Sequence, residues 1–258
     1  MSGAGQITGG GGFTPATSIK EAEKRLYEFT KPATLDPLVK FHGEELYAQG
    51  VFLDGLPLKK LNSILAAAED TLGKYNVKVN QIGFTKANKR HWGKFTDLNG
   101  NDSRIGLQKT ITKGMDKKQK DIVKFYSDQR TKKIADTKKM IEKLKDKPYA
   151  VKGFQDRLEW LERTPSFNVM TRNADIDGVY AVMKHESYHG VYFKYGLEKP
   201  FIKNIQKHGV EKWSSVSEYA GTNAQEFFAE LATAVDLKLP VPSNFKKAFI
   251  DTIGEIEK

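Results

Sequence analysis

Residues 178–195 read GVYAVMKHESYHGVYFKY. Apolar Val179, Val182, Met183 and Tyr192 recur along this run, Asp175 or Asp177 stands before it as an N-cap, and Gly196 follows as a C-cap. The pattern predicts a helix of about five turns. His185 and His189 are four residues apart, which places both imidazoles one above the other on a single helix face, able to grip one ion. Glu186 follows His185 directly. A carboxylate in that position can take a proton from a metal-bound water and later pass it to a leaving amine.

Two histidines do not complete a tetrahedral catalytic site, which needs a third protein ligand and an open fourth position. The chain has no cysteine, so every ligand must be nitrogen or oxygen and disulfides contribute nothing to stability. Glu226 is the candidate. It lies in TNAQEFFAELATAV, residues 222–235, where Thr222 or Asn223 can cap a helix with Phe227 and Ala234 packed inward. Glu230, one turn later on the same face, can accept the free ring N–H of a ligating histidine and so fix its tautomer. Tyr219, seven residues before Glu226, offers a phenol to the oxyanion of a tetrahedral intermediate.

An isolated HExxH string arises by chance in on the order of one chain in a hundred of this length. Here KHESYHGVY and YAGTNAQEFFAE occur together. Words and spacing closely resemble the gluzincin metallopeptidases, in particular the family of the anthrax lethal factor catalytic domain. The resemblance spans roughly residues 165–240. It implies one zinc ion per chain on His185, His189 and Glu226, with Glu186 as the base, Tyr219 assisting the transition state and Glu230 supporting a ligand. The implied function is a zinc-dependent endopeptidase acting on a protein or peptide. The N-terminal layout is similar to zincin-type domains of phage minor head proteins. That similarity implies a phage or prophage setting, other virion proteins as partners, and a place in the virion or the host-cell cytoplasm. Two rival readings keep the same scaffold: a virion structural or interaction protein with little catalysis, and a toxin-like effector protease.

The rest of the chain is read outward from these helices. Residues 1–14 are Gly-rich and read as a flexible tail or linker. Thr17 or Ser18 caps an amphipathic helix with Ile19, Ala22, Leu26 and Phe29 on one side, and Pro32 stops it. Leu58, Leu61, Ile64, Leu65 and Leu72 mark a second helix over 58–74. VKVNQIGF, residues 77–84, reads as a strand. Residues 115–146 fit one or two long, solvated helices ended by Pro148, residues 153–163 a further helix, and SFNVM, 166–170, a short strand. The expected organisation is a tail (1–14), an N-terminal helical region (15–75) and an α+β catalytic unit (76–258) with a Lys-rich helical insertion at about 109–148. The expected fold is zincin-like, a small twisted sheet over the HExxH helix and the glutamate helix, with SFNVM as the strand that lines the cleft.

The formal net charge is +10, and residues 109–148 hold fourteen Lys/Arg against six Asp/Glu. Lysine runs with few arginines and scattered aromatics are ordinarily solvated helix faces, so contact with nucleic acid is the weaker reading. No run reaches the roughly 18 apolar residues of a membrane span, and no signal peptide is legible. His42, His91 and His208 lie outside ligand spacing. Tyr188, Tyr192, Phe193 and Tyr195 are read partly as core, not as a cofactor box.

Overall fold

The computed structural model describes residues 12–34, 49–85, 92–97 and 100–256. His42 and His91 fall outside them, as do residues 1–11 of the expected tail. Within the described part of that segment the chain is already in place: Phe13 packs against the core with the Arg25 guanidinium over its ring.

Helix α1 (Ile19–Tyr27) begins at Ser18, whose hydroxyl accepts the Glu21 N–H, while Thr17 donates to the Glu21 carboxylate. Strand β1 (Gly50–Phe52) leads into α2 (Leu58–Ala68), whose end widens into a π-turn over Glu69–Gly73. Strand β2 (Gln81–Thr85) then lies parallel to β1. The predicted strand at 77–84 therefore starts later than expected. Before β2, Val79 gives both backbone groups to the exit of α1, donating to the Phe29 carbonyl and accepting the Lys31 N–H, so pairing with β1 and with Ser103 begins only at Asn80.

Strands β3 (Gly93–Asp97) and β4 (Ser103–Gln108) are antiparallel to each other, and β4 pairs parallel with β2. The four-stranded sheet runs β1-β2-β4-β3, which leaves β3 at an edge. The predicted strand at 166–170 is not one. Those residues run irregularly into a 3-10 turn at Val169–Thr171, closed by a reciprocal cap in which Asn168 accepts the Thr171 N–H and Thr171 accepts the Asn168 N–H. A local polar side chain satisfies the backbone there, so no ladder forms.

Helix α3 (Lys109–Lys143) has 35 residues, about 52 Å at 1.5 Å per residue. It pairs with α4 (Pro148–Arg163), and the two form a largely exposed hairpin. Pro148 starts α4 five residues before the predicted onset at Gly153, because a ring that lacks an N–H is free of cost in the first helical turn. The remaining helices are α5 (Gly178–Lys194), α6 (Glu198–Lys207), α7 (Ala224–Asp236) and α8 (Ser243–Ile253).

Helix α5 is the central element. It is buried from Gly178 to Tyr192, with the sheet and α2 on one side and α7 on the other. Asp177 caps it by accepting the Val179 and Tyr180 N–H groups. Its last helical turn is capped at Tyr195, one residue before the predicted Gly196. Gly196 instead takes the left-handed conformation after the cap (φ +58°), and Leu197 N–H reaches back to the Tyr192 carbonyl. Gly190 serves a different purpose: a Cβ there would lie 3.3 Å from both Phe95 and Val77, so its absence lets α5 sit close on the sheet. Leu26, Leu61 and Leu65 from the N-terminal helices share one continuous core with Val179, Met183 and Phe228. The protein is α+β, mostly helical, with a small mixed sheet. Among the described residues no helix is long and apolar enough to cross a membrane.

Candidate metal centre

His185 and His189 project from the middle of α5 toward the first turn of α7. Asn223 caps α7 by accepting the Glu226 N–H at 2.9 Å, which makes Glu226 the third helical residue. A glutamate there often folds back on its own cap. In this chain it turns to the histidines instead. Glu226 Oε2 lies 3.1 Å from His185 Nε2 and 3.2 Å from His189 Nε2, and the two ring nitrogens are 3.1 Å apart.

Four ligands at about 2.0–2.1 Å from a tetrahedral ion stand about 3.3–3.4 Å from one another. The observed triangle matches that edge to within a few tenths of an ångström. Protons alone fit it less well, since two facing ring nitrogens and a carboxylate oxygen present more lone pairs than hydrogens. The buried group His185, His189 and Glu226 can therefore hold a metal ion.

The charges point the same way. Burial opposes a charge on His185, but Glu226, Glu230 and the field of Glu186 outweigh it and push the ring well above the ordinary histidine value. Burial also opposes the charge on Glu226, and contact with His185 and His189 outweighs it, holding that carboxyl far below the usual carboxylate range. Three carboxylates around two imidazoles make a field that seeks a cation.

Glu230 is fully buried and works as a hub. Its Oε2 accepts from Ser217 Oγ at 2.6 Å and from Val169 N–H at 2.7 Å. Its Oε1 lies 3.1 Å from His185 Nδ1. Neither of those two atoms has another partner, and their alignment falls short of an ordinary hydrogen bond. A metal held on His185 Nε2 would leave the ring hydrogen on Nδ1, the atom that faces this carboxylate.

The chain matches no family model, no curated protein and no solved structure.

Glu186 sits beside the triangle, buried, and lines a small cleft with Trp92, Gly93, Phe167, His185 and Tyr219. Burial raises its carboxyl pKa, the histidines pull it back, Glu226 adds to the rise, and the Phe95 N–H lowers it again, with a net upward shift. Gly93 makes room for it: a Cβ there would lie 2.4 Å from Glu186 Oε1. Tyr219 borders the same cleft and donates to Glu226 Oε1 at 3.3 Å. Burial and the charge of Glu226 raise its phenol pKa, so it stays a proton-bearing donor.

Sequence reasoning missed several residues that build this site. Ser217 and Arg172 support Glu230: Ser217 by its hydroxyl, Arg172 by its charge and by holding the carbonyls of Val216 and Pro240. Segment 166–167 accepts the N–H groups of Glu218 and Tyr219 at 2.9 and 2.8 Å and so fixes the tyrosine loop. Segment 166–170 lines the cleft through Phe167, Asn168 and Met170, but not as a strand; the strand that borders it is β3. Its signal was present as two alternating runs, WGKFTD and SRIGLQ, around the turn dipeptide Asn99-Gly100. His208 stands apart and contacts Asp251 at 2.8 Å.

Proposed function

We propose that this chain is a zinc-dependent peptidase. The observation that carries the reading is the His185, His189 and Glu226 triangle with Glu186 beside it on the same helix and a cleft open to both. Zinc held by those three residues would supply a Lewis acid and lower the pKa of water to near neutral. Glu186 accepts the proton of the attacking water and returns it to the leaving amine, a role suited to a buried carboxylate with a raised pKa. Tyr219, still protonated, can turn from Glu226 to donate its O–H to the developing oxyanion. Glu230 keeps the His185 ring oriented, and Ser217 keeps Glu230 in place. The edge position of β3 supports an extended peptide adding to the sheet there, the role expected of SFNVM.

Elemental mass spectrometry on protein purified without chelator, beside His185→Ala and Glu186→Gln and a peptide-library cleavage assay, tests the reading. The expected outcome is close to one zinc per chain, lost in His185→Ala and kept in Glu186→Gln, whose cleavage falls by about 10²–10⁴-fold. Zinc without cleavage would give the ion a structural task, and absence of metal from the wild type would sink the proposal.

A further inference from the structure

A second cavity, of about 250 Å³, lies between the α3–α4 hairpin and segment 164–172. That is below the roughly 300–1,000 Å³ of sites that enclose whole small ligands, so it suits part of a larger molecule. Tyr126, Trp160 and Phe167 supply apolar walls, while Arg130, Lys133 and Arg172 line it against a single carboxylate, Glu218.

The three cations differ in what already occupies them. Arg172 lies in the field of buried Glu230. Arg130 gives Nε, Nη1 and Nη2 to the carbonyls of Leu161, Pro165 and Glu162. Those are main-chain dipoles, not carboxylates, and a guanidinium has five N–H donors, so two remain. Lys133 is exposed, and among the described residues neither it nor Arg130 makes an ion pair. Two buried polar atoms on the same wall, Thr164 Oγ1 and Arg172 Nε, have no partner, and Thr164 is only 3% exposed. A buried donor without a partner costs about 1–3 kcal/mol unless something answers it.

The cavity also adjoins the metal centre. Phe167 lines both. One side of its ring stacks on Tyr126 at 4.8 Å, and it meets Tyr219 at 6.2 Å, which in turn lies 6.0 Å from the His185 ring. An extended peptide advances about 3.3 Å per residue. A residue within about five positions of the scissile bond therefore reaches the cavity.

We infer that this cavity receives an acidic side chain of the peptide substrate, with its carboxylate on Lys133 and Arg130 and its stem against Phe167 and Trp160. The inference rests on the peptidase reading for the word substrate. The binding itself does not.

The test uses the full chain carrying Glu186→Gln and a fluorescent decapeptide of Glu, Tyr and Ala, compared with its Lys-for-Glu counterpart by anisotropy. Lys133→Glu changes the cavity rim, and Lys139→Glu, exposed elsewhere on α3 and absent from the lining, is the charge-matched control. The expected result is about tenfold weaker acidic-peptide binding in Lys133→Glu and less than about a twofold change in Lys139→Glu. Equal effects of the two, or equal binding of the two peptides, would overturn the inference, since attraction would then be general charge only. In the active chain, library cleavage should enrich Asp or Glu at one fixed distance from the scissile bond, an enrichment that Lys133→Glu removes. Cleavage with no such enrichment overturns the cavity assignment and leaves the peptidase standing. A Lys133-specific binding difference with no cleavage at all does the reverse.

Discussion

Helix α5 and the α3–α4 hairpin are both rich in charged and polar residues, yet they treat them oppositely. In α5, Lys184, His185, Glu186 and His189 are all at most 5% exposed. In the hairpin, pairs such as Lys124–Asp128 and Lys145–Glu142 are well over half exposed. A solvated pair of that kind contributes about 0–1 kcal/mol. A buried charge costs several kcal/mol unless it is partnered, so every charge in α5 has an answer nearby. Lys184 Nζ lies 2.6 Å from Asp236, and Asp70 and Asp236 accept the phenols of Tyr180 and Tyr188. On the adjoining face, three carboxylates face two imidazoles. The comparison teaches that charge number says little about role, and that burial converts the same side chains from solvation into structure or chemistry.

The sharpest way to break the contrast is to remove one partner of the buried pair. Lys184→Met should cost about 2–4 kcal/mol, because Asp236 and Asp70, both partly buried, lose the buried cation between them while Asp236 keeps the Tyr188 phenol. At about 2–4 °C per kcal/mol that is a fall in Tm of roughly 4–16 °C by calorimetry. Adding Asp236→Leu to Lys184→Met should recover part of it, and a cycle without coupling would refute the pairing.

A smaller effect is expected at the hub. Glu230→Gln keeps the volume and can still accept from Ser217, but it weakens the hold on His185. Metal affinity should drop about 10–100-fold in a chelator competition while the fold persists.

The exposed regions sharpen the other end of the comparison. Lys207 and His208 hold the Asp251 carboxyl down to about 2. A depressed acid contributes stability that is present above its ordinary value of about 3.9 and is lost as pH falls toward 2. Urea titrations of wild type and Asp251→Asn should therefore differ slightly near neutrality and converge between about pH 4 and 2. Least of all should change at the hairpin tip. Tyr149 is 96% exposed, so Tyr149→Ser should stay within about 0.5 kcal/mol of wild type in the same titration.

The legible parts of the sequence were those written in local code. The α5 and α7 helices, with Asp177 and Asn223 among the caps proposed, follow from periodicity and a short side chain before it. His185 and His189 follow from their i, i+4 spacing and Glu226 from its place in a second helix and the gluzincin resemblance, and the structure brings those atoms together. Segment 166–170 misled for a local reason too: its apolar residues suggest a strand, but Asn168 and Thr171 close their own turn. Strand β1 has only three residues and exists through its pairing with β2, a partner some thirty positions along the chain.

By itself the sequence determined helices α1, α2, α5 and α7 and the side chains they carry, because i, i+4 spacing and capping act within a few residues, while α6 and α8 went unread. It thereby set two histidines and a neighbouring carboxylate on one helix. Only the tertiary structure decided that β3 borders the cleft, that Gly93 yields its space to Glu186, and that Glu230 gathers Ser217, Val169 and His185 around one buried charge. Those contacts join residues 13 to 93 positions apart. They arise from chain packing and the need to answer every buried polar group, and no local pattern encodes either.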